Sequence, residues 1–537
     1  MSSVVRCLLF LVIVNSTGKA VKKNILFIIV DDLRPALGCY NDVNAHTPHI
    51  NALAKKSVVF KHAFAQQALC APSRNSFLTS RRPDSIRLYD FYSYWRETAG
   101  NFTTLPQYFK QNGYHTMSIG KIFHPGISSN YSDDQPYSWS EEPFHPPTEQ
   151  YRDSPVCHGT SGQPGRNLIC PVSVELQPGK SLPDLQSLEA AKKFLREKRE
   201  EPFLLAVGFH KPHIPLKFPR EYLGYHPLAS IKVPVNHIRT PTLPTVAWNP
   251  WTDIRRRDDI ASLNVSFPFG PMPDETSKLI RQSYYAATSY IDDLIGQLLK
   301  ELNSHNWKNN TIIILTGDHG WSLGEHGEWS KYSNFEVSVR VPLIIHVPGI
   351  TDVPDYVKTN EVPNSSVHPS ISNAIVELVD IFPTLVELSE AGDLLQQCPD
   401  TERQPTLCTE GVSLAPLIYK AGWKGKFTTR KKAAFSQYPR PGMYPTLKPN
   451  SDKPHLSQIE YMGYSLRTHT HRYTEWVYFQ KQIFQPDWTK VVARELYDHT
   501  IDPLEDLNLA DRPQLHDLVH MLSAQLHAGW RHSLATE

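Results

Sequence analysis

Residues 24–30 read NILFIIV, and the pair Asp31-Asp32 follows them directly. The six residues after Asn24 are apolar and rich in β-branched side chains, which is typical of a strand buried on both faces, as in a parallel sheet. Similar runs occur at residues 203–209 (FLLAVGF), 311–316 (TIIILT) and 341–347 (VPLIIHV). The sequence therefore predicts a sheet that contains several buried strands.

Helical patterns separate these predicted strands. Residues 279–302 carry apolar side chains at helix spacing, and residues 185–198 and 374–388 look similar. Because strands alternate with helices, we predict a doubly wound α/β fold. A proline-rich connection at about 438–455 precedes further β-like segments at 464–478 and 495–498 and a final helix at about 514–530, which predict a smaller α+β subdomain. The predicted division is a signal peptide (1–20), a main domain (21–440) and a C-terminal subdomain (441–537).

The N-terminus predicts entry into the secretory pathway. Arg6 precedes an apolar run at 7–14, and small or polar residues follow at 15–20, so we expect cleavage near Gly18 or Ala20. The apolar run is too short to span a membrane. Five glycosylation sequons agree with this route, at Asn101, Asn130, Asn264, Asn309 and Asn364.

The composition is that of an ordinary soluble globular protein, with 40% hydrophobic and 20% charged residues. At 537 residues the chain exceeds a single ordinary core. The formal net charge of +1 gives no argument for nucleic-acid binding. An anionic substrate would therefore need a local basic site.

Six cysteines remain after the signal segment. Cys157 and Cys170, and likewise Cys398 and Cys408, form close pairs in loops with proline or glycine, and these are the plausible disulfides of an oxidising compartment. Cys39 and Cys70 are left over. A disulfide between them is the simplest alternative, but it would occupy Cys70.

Polar residues follow the predicted strands at one edge of the sheet. Asp31-Asp32 ends the first strand, His210 and His213 follow the second, and Asp318-His319 follows the third. Adjacent carboxylates repel one another unless a cation neutralises them, so two such pairs predict a divalent-metal site. A turn or helix cap is the alternative explanation for either pair alone. Carboxylate oxygens favour Ca²⁺ or Mg²⁺, whereas His319 is a less typical calcium ligand.

The run Cys70-Ala71-Pro72-Ser73-Arg74 has the Cys-x-Pro-x-Arg pattern. By itself it also fits a buried free cysteine before a turn. Further short motifs follow along the chain. They are residues 113–121, GDHG at 317–320, GEHG at 324–327 with Lys331, and residues 379–384, 411–417 and 496–503. Together they resemble the type I sulfatase family over nearly the whole mature chain. Residues 209–215, 317–335 and 436–441 are similar to a branch of that family that acts on sulfated glycosaminoglycans, and His319 stands where most sulfatases have Asn or Gln.

The resemblance implies an alkaline-phosphatase/sulfatase-like fold with a large, mostly parallel mixed sheet and an antiparallel sheet in the C-terminal subdomain. It also implies that Cys70 is converted to Cα-formylglycine, whose hydrate attacks the sulfur of a sulfate ester. The implied ligands of one Ca²⁺, with Mg²⁺ less favoured, are Asp31, Asp32, Cys70, Asp318 and His319.

Further roles are implied by position in the family. Arg74 would stabilise the formylglycine and the metal region. Lys121 and Lys331 would hold the sulfate oxygens, His213 or Lys331 would protonate the departing oxygen, and His124 would release sulfate from the enzyme. Trp321 and Tyr332 are candidates for lining the sugar site. His210 competes with His213, and the match to residues 212–215 favours His213.

The implied partners are a sulfated glycosaminoglycan substrate, the formylglycine-generating enzyme and a mannose-6-phosphate receptor, with the lysosome as destination. No nucleic acid and no stable membrane insertion are expected. Three alternatives remain open at this stage. The first is a sulfatase that acts on another sulfated sugar or on a small sulfate ester. A phosphatase or phosphodiesterase of the alkaline-phosphatase type would use Ser or Thr as nucleophile, and a catalytically inactive glycan-binding protein would not need the full set of site residues.

Overall fold

The computed structural model describes residues 22–158, 163–352, 370–400, 405–420, 431–448 and 450–534. Within these ranges the strands are β1 Asn24–Val30, β2 Val58–Phe64, β3 His115–Gly120, β4 Cys157–His158, β5 Pro164–Gly165, β6 Ile169–Val172, β7 Phe203–Phe209, β8 Leu216–Pro219, β9 Thr311–Gly317, β10 Ser322–Leu323, β11 Trp329–Ser330, β12 Arg340–His346, β13 Ser370–Glu377, β14 Ala434–Arg440, β15 Tyr461–Arg467, β16 His471–Gln480 and β17 Gln485–Asp498.

The α-helices in the same ranges are α1 Pro48–Ala54, α2 Cys70–Thr79, α3 Pro83–Ile86, α4 Trp95–Thr98, α5 Leu105–Gln111, α6 Pro183–Arg196, α7 Thr252–Arg255, α8 Asp258–Ala261, α9 Asp274–Ser304, α10 Glu336–Val339, α11 Ile381–Ser389, α12 Ala415–Lys420 and α13 His516–Ala528.

A seven-stranded sheet has the order β13-β2-β12-β9-β1-β7-β3. Strand β1 lies between β7 and β9 and is parallel to both, with Phe27 opposite Ala206 and Ile314. Strand β12 runs antiparallel to β2 and β9, whereas the other neighbouring pairs are parallel. The predicted large, mostly parallel mixed sheet is therefore confirmed.

Two hydrophobic cores cover the faces of this sheet. Because side chains alternate along a strand, Leu26 and Ile28 of β1 point into one core and Ile25 and Phe27 into the other. Helices α1, α6 and α9 pack on the first face, and α2, α5 and α11 supply side chains to the second. Since β1 is buried on both sides, its continuous apolar run is explained.

The predicted helix at residues 374–388 is wrong in its first part. Strand β13 occupies this region up to Glu377 and pairs with β2, and helix α11 begins only at Ile381. A helix from 374 to 388 would place Pro383 in its interior, where proline lacks the N–H donor and clashes with the preceding turn. In the structure Pro383 lies in the first turn of α11, where the missing donor has no intrahelical partner to lose.

The C-terminal strands form a separate antiparallel sheet with the order β14-β15-β16-β17, as predicted. Helix α13 packs against it through Leu522 and Leu526. Strand β14, residues 434–440, also belongs to this sheet, although the predicted boundary follows residue 440. The division of the chain at that residue stays a prediction.

Both predicted disulfides are present, Cys157–Cys170 and Cys398–Cys408, and Cys39 and Cys70 carry free thiols. The alternative Cys39–Cys70 pairing is therefore not formed. The asparagines of four predicted sequons, Asn101, Asn130, Asn264 and Asn309, are exposed. Asn364 and the predicted signal peptide lie outside the described residues. In the described part of the chain no helix is long and apolar enough to cross a bilayer.

Candidate active site

The carboxyl ends of four parallel strands meet at one edge of the large sheet. Asp31 and Asp32 follow β1, Asp318 and His319 follow β9, Lys121 follows β3, and the loop that contains His213 follows β7. Open α/β sheets bind ligands at this edge, so the topology explains why these distant residues converge. The backbone of Lys121 lies directly against Gly208 at the end of β7. A Cβ added at Gly208 would collide with the backbone of Lys121, so the glycine permits Lys121 to lie this close to the cluster.

Cys70 is the first residue of helix α2 and is buried at the centre of this cluster. Its Sγ lies 3.1 Å from Lys331 Nζ, 3.4 Å from His319 Nε2 and 3.5 Å from Asp31 Oδ1. Pro72 fits the first turn of α2, where backbone N–H groups have no intrahelical partner. Burial, with Asp31 nearby, raises the pKa of the Cys70 thiol. The unmodified thiol is therefore not poised as a thiolate nucleophile.

Arg74 lies one helical turn after Cys70, on the same face of α2. Its Nε donates to Asp318 Oδ2 at 2.8 Å, and one terminal nitrogen donates to Asp31 Oδ1 at 3.2 Å. The other terminal nitrogen donates to the carbonyl oxygens of Lys121 and Ile122. The guanidinium thus joins the loops after β1, β3 and β9. The four-residue spacing in Cys-x-Pro-x-Arg places this guanidinium beside Cys70, one helical turn along α2.

Three carboxylates and three fixed cations balance one another in this buried cluster. Lys121 Nζ lies 2.6 Å from Asp31 Oδ2, and Lys331 Nζ lies 2.6 Å from Asp32 Oδ1. Burial alone would raise the pKa of Asp31, but the surrounding cations, led by Lys121, hold it well below its usual range. Burial raises the pKa of Asp32 to about 7, although Lys331 opposes the shift. Burial by itself would lower the pKa of Lys331, but Asp32 raises it well above the ordinary value.

The histidines of the site have fixed ring orientations. His319 Nδ1 is hydrogen-bonded to the Gly320 carbonyl oxygen at 2.9 Å, and His213 Nδ1 to the Ile214 carbonyl oxygen at 2.7 Å. In both rings Nε2 therefore points toward the carboxylates. His319 Nε2 lies 3.5 Å from Asp32 Oδ1, and His213 Nε2 lies 4.0 Å from Asp32 Oδ2. His124 stacks on Phe91, and burial keeps the pKa of His124 well below the usual range.

The donor set fits a divalent cation. One atom each of Asp31, Cys70, Asp318 and His319 lies within 4.8 Å of the other three. Asp32 Oδ2 is buried and has no hydrogen-bond partner. An unpartnered buried carboxylate oxygen is costly unless a cation is close, so the site has an acceptor that a metal would satisfy.

A cavity of about 380 Å³ opens onto this cluster. Asp31, Lys121, His124 and His213 line its inner end, and the irregular segment between β3 and α6 forms much of the remaining wall. The volume falls in the range of small-molecule sites. The cavity therefore gives a substrate access to the buried cluster.

Trp321 and Tyr332, which the sequence suggested for the sugar site, are both almost fully buried. Trp321 belongs to the core on one face of the sheet, and its ring centroid lies 5.8 Å from Lys331 Nζ. The Tyr332 hydroxyl donates to Asp253 Oδ2 at 2.6 Å. Neither lines the cavity, and their contact with substrate stays a prediction.

Sequence reasoning missed Asp184 and Lys211, which line the cavity. The Asp184 carboxylate accepts from the backbone N–H of His210 at 2.6 Å and of Lys211 at 3.1 Å. Lys211 Nζ donates to the carbonyl oxygens of His213 and Pro215. Together they hold the loop that carries His213. Only the position of Lys211 between the two candidate histidines pointed to it in the sequence.

The family model "Sulfatase" matches residues 23–391. Iduronate 2-sulfatase of Homo sapiens is 48% identical over 528 residues, which cover 95% of this chain and 94% of that protein. The chain belongs to the sulfatase family. Iduronate 2-sulfatase of Mus musculus is also 48% identical, over 514 residues and 93% of each protein.

The fold agrees with that assignment. Phosphonate monoester hydrolase of Agrobacterium radiobacter matches with a TM-score of 0.67 and 19% sequence identity, over 94% of this chain and 95% of that one. The predicted family, the fold class and the enzyme class of sulfuric ester hydrolase are confirmed. As a type I sulfatase, the protein is formylglycine-dependent and metal-binding.

Proposed function

We propose that this sulfatase is an exosulfatase that removes the 2-O-sulfate from L-iduronate 2-sulfate units of heparan sulfate and dermatan sulfate. The observation that carries this is the 48% identity to two iduronate 2-sulfatases over more than nine-tenths of the chain. A cavity of about 380 Å³ suits the end of a saccharide chain better than its middle.

We propose that the nucleophile forms at position 70. Converted to formylglycine and hydrated, this residue supplies a hydroxyl that attacks sulfur. Lys121 Nζ and Lys331 Nζ lie 3.5 Å and 3.1 Å from Cys70 Sγ, so both ammonium groups flank the place where the sulfate must sit. Their charges stabilise the negative charge that spreads over the sulfate oxygens in the transition state.

Proton transfer is assigned to His213 and His124, two of the four histidines that line the cavity. His213 protonates the departing sugar oxygen, because Lys331 is buried with its Nζ held by Asp32 and Cys70. His124, at the inner end of the cavity, removes the proton that lets sulfate leave position 70 and restores the aldehyde. His213 acts in its protonated form, because only an imidazolium releases a proton readily, whereas His124 must be neutral to accept one.

The proposed metal is one Ca²⁺ held by Asp31, Asp32, Asp318, His319 and residue 70. When bound, such a cation supplies positive charge that makes a neighbouring hydroxyl more acidic. Carboxylate oxygens predominate in this set, which favours a hard cation. Arg74 keeps two of these carboxylates in place through its contacts with Asp31 and Asp318.

We propose the lysosome as the site of action, reached through the secretory pathway. Exposed Asn101, Asn130, Asn264 and Asn309 provide surface positions for glycans, one of which a mannose-6-phosphate receptor would bind. The formylglycine-generating enzyme is the partner that acts on Cys70 before the chain folds, because Cys70 is buried in the folded protein.

The test is sulfate release from a panel of defined sulfated disaccharides. We expect release from a terminal iduronate 2-sulfate and little from 6-O-sulfated or N-sulfated glucosamine. Cys70→Ala abolishes release because it removes the precursor of the nucleophile. Full activity of that variant, or equal release from every member of the panel, would contradict the proposal.

A mass spectrum provides an independent check of position 70. Protein made together with the formylglycine-generating enzyme should yield a tryptic peptide that is lighter than its cysteine form. Detection of only the cysteine form in fully active protein would exclude the formylglycine mechanism.

A further inference from the structure

Lys331 lies in a backbone segment with an unfavourable conformation. The φ angle is 72° at Ser330 and 77° at Tyr332, so the residues on both sides of Lys331 occupy the left-handed region. Neither is a glycine, and a side chain in that region crowds the following carbonyl oxygen. Such a conformation persists only where surrounding groups enforce it, so other parts of the protein must hold residues 330–332 in place.

Asn249 supplies the first part of that support. It is fully buried, and its Nδ2 donates to the carbonyl oxygens of Trp329, at 2.9 Å, and of Lys331. Asn249 Oδ1 accepts from the backbone N–H of Trp251 at 2.7 Å, which fixes the orientation of the amide. One side-chain amide thus holds the two carbonyl groups on either side of Ser330.

Asp253, in helix α7, supplies the second part of the support. Its Oδ2 accepts from the Tyr332 hydroxyl at 2.6 Å and from Ser330 Oγ at 3.2 Å. Asn249 therefore holds the backbone at residues 329 and 331, and Asp253 holds the side chains of residues 330 and 332. Because the two sets of contacts alternate along the segment, every residue from 329 to 332 is bonded to the chain at 249–253.

Glu328 joins the same two segments at a further point. Its side chain is buried, and Oε1 accepts from the backbone N–H of Asn249 at 2.6 Å. If Asn249 moved, it would leave this carboxyl oxygen and the carbonyl oxygens of Trp329 and Lys331 buried without their donor. An unsatisfied buried polar group is costly, so Asn249 is itself firmly held.

The place where the Lys331 backbone lies matters because the ammonium stands at the end of a flexible four-carbon stem. Lys331 Nζ lies 2.6 Å from Asp32 Oδ1 and 3.1 Å from Cys70 Sγ. Asp32 attracts the ammonium but does not determine where the stem begins. A displacement of about 1 Å in a catalytic group costs about 100-fold in rate, so the backbone of Lys331 has to be fixed.

We propose that Asn249 and Asp253 are positioning residues for the sulfatase reaction, which hold Lys331 where its ammonium meets the sulfate oxygens. Neither residue lines the catalytic cavity, so both act through Lys331 rather than on the substrate. The inference rests on the role proposed above for Lys331 and deepens it, because it names the groups that place this lysine.

A double-mutant cycle on the whole, formylglycine-containing enzyme tests the proposal, with the sulfated disaccharide that the wild type cleaves fastest. Asn249→Ala should lower kcat by about 10–100-fold with little change in KM, because Lys331 stabilises charge that develops in the transition state. In the Lys331→Ala background the same substitution should lower kcat by less than about twofold, since the lysine that it displaces is absent. A merely structural role of Asn249 would lower kcat by the same factor in both backgrounds.

Asn508→Ala is the matched control. Asn508 Nδ2 likewise donates to two backbone carbonyls, those of Arg494 at 2.9 Å and Thr242 at 3.3 Å, but it lies beside strand β17 of the C-terminal sheet. Loss of these bonds should leave kcat unchanged, whether Lys331 is present or replaced by alanine.

Asp253→Asn carries the cycle if circular dichroism shows that Asn249→Ala does not fold. The variant keeps the shape of the side chain and removes the charge that accepts from two hydroxyl groups, so kcat should fall by about 3–10-fold, again only when Lys331 is present.

The proposal is overturned if the folded variants lower kcat equally with and without Lys331, or if they keep the wild-type kcat while Lys331→Ala lowers it. If Lys331→Ala itself keeps the wild-type kcat, the role proposed for Lys331 fails together with this inference.

Discussion

Replacing Arg74 with lysine tests whether the forked guanidinium, rather than its charge, organises the catalytic cluster. The guanidinium makes four contacts from a position with no solvent exposure: two with the carboxylates of Asp31 and Asp318, and two with the backbone carbonyls of residues 121 and 122. A lysine ammonium has a single nitrogen and can keep about two of them.

The magnitude follows from the contacts that are lost. Hydrogen bonds to charged groups contribute about 1.5–3 kcal/mol each, so the loss of two such contacts lowers the free energy of unfolding by about 3–6 kcal/mol. Activity should fall by about 100-fold or more, because a displacement of about 1 Å in catalytic groups has that effect on rate. Of the catalytic groups, Lys121 should shift most in the Arg74→Lys variant, because Arg74 holds its backbone carbonyl directly.

Urea unfolding and the kcat for sulfate release measure the two effects separately. The matched control is Arg472→Lys in the C-terminal sheet, where a buried arginine likewise joins two carboxylates, those of Glu336 and Glu505. The control should lose comparable stability and keep the wild-type kcat at temperatures where it is folded. The reasoning is refuted if Arg74→Lys keeps both the wild-type unfolding midpoint and the wild-type kcat, or if the two variants lose activity equally.

Three more outcomes are expected. Glu377 is held between Arg82 and Lys431, and these cations lower its pKa to about 2 although burial opposes the shift. The stabilisation that Glu377 contributes is therefore complete above about pH 4.5 and disappears as the pH falls toward 2. Glu377→Gln should lower the free energy of unfolding in urea by roughly 3 kcal/mol at neutral pH and remove its pH dependence between about pH 4.5 and 2. Treatment with a chelator should abolish sulfate release and lower the thermal unfolding midpoint. Addition of Ca²⁺ at about 100 times its Kd should raise the free energy of unfolding by about 2.7 kcal/mol. Recovery of activity with Mg²⁺ but not with Ca²⁺ would contradict the calcium assignment. Lys331→Ala should lower kcat by about 10²–10³-fold because it removes a cation from the sulfate position, and unchanged steady-state kinetics would exclude that role.

Much of the site was accessible from local sequence. The carboxylates of Asp31 and Asp318 were predicted to meet because each follows a buried apolar run, and the ends of parallel strands share one edge of the sheet. The relation between Cys70 and Arg74 also follows from local spacing, since residues four apart lie on one face of a helix. Only a family resemblance assigned Lys121, His124 and Lys331, which stand in loops without a periodic pattern.

Other features depended on contacts between distant segments. Residues 374–377 have no periodicity that separates strand from helix, and pairing with β2 makes them a strand. The reversed direction of β12 and the contact of Asp184 with the loop at 210–211 likewise arise only when remote parts of the chain pack together.

The sequence by itself determined the strands that surround Asn24 to Val30, the two disulfides and the motif of the proposed nucleophile Cys70, because each depends on neighbours within a few residues or on a short motif. Only the tertiary structure decided the wall of the catalytic cavity and the burial of Trp321 and Tyr332. Those features are made by side chains that lie far apart along the chain, and their distances are set by how the sheets and helices pack rather than by any local pattern.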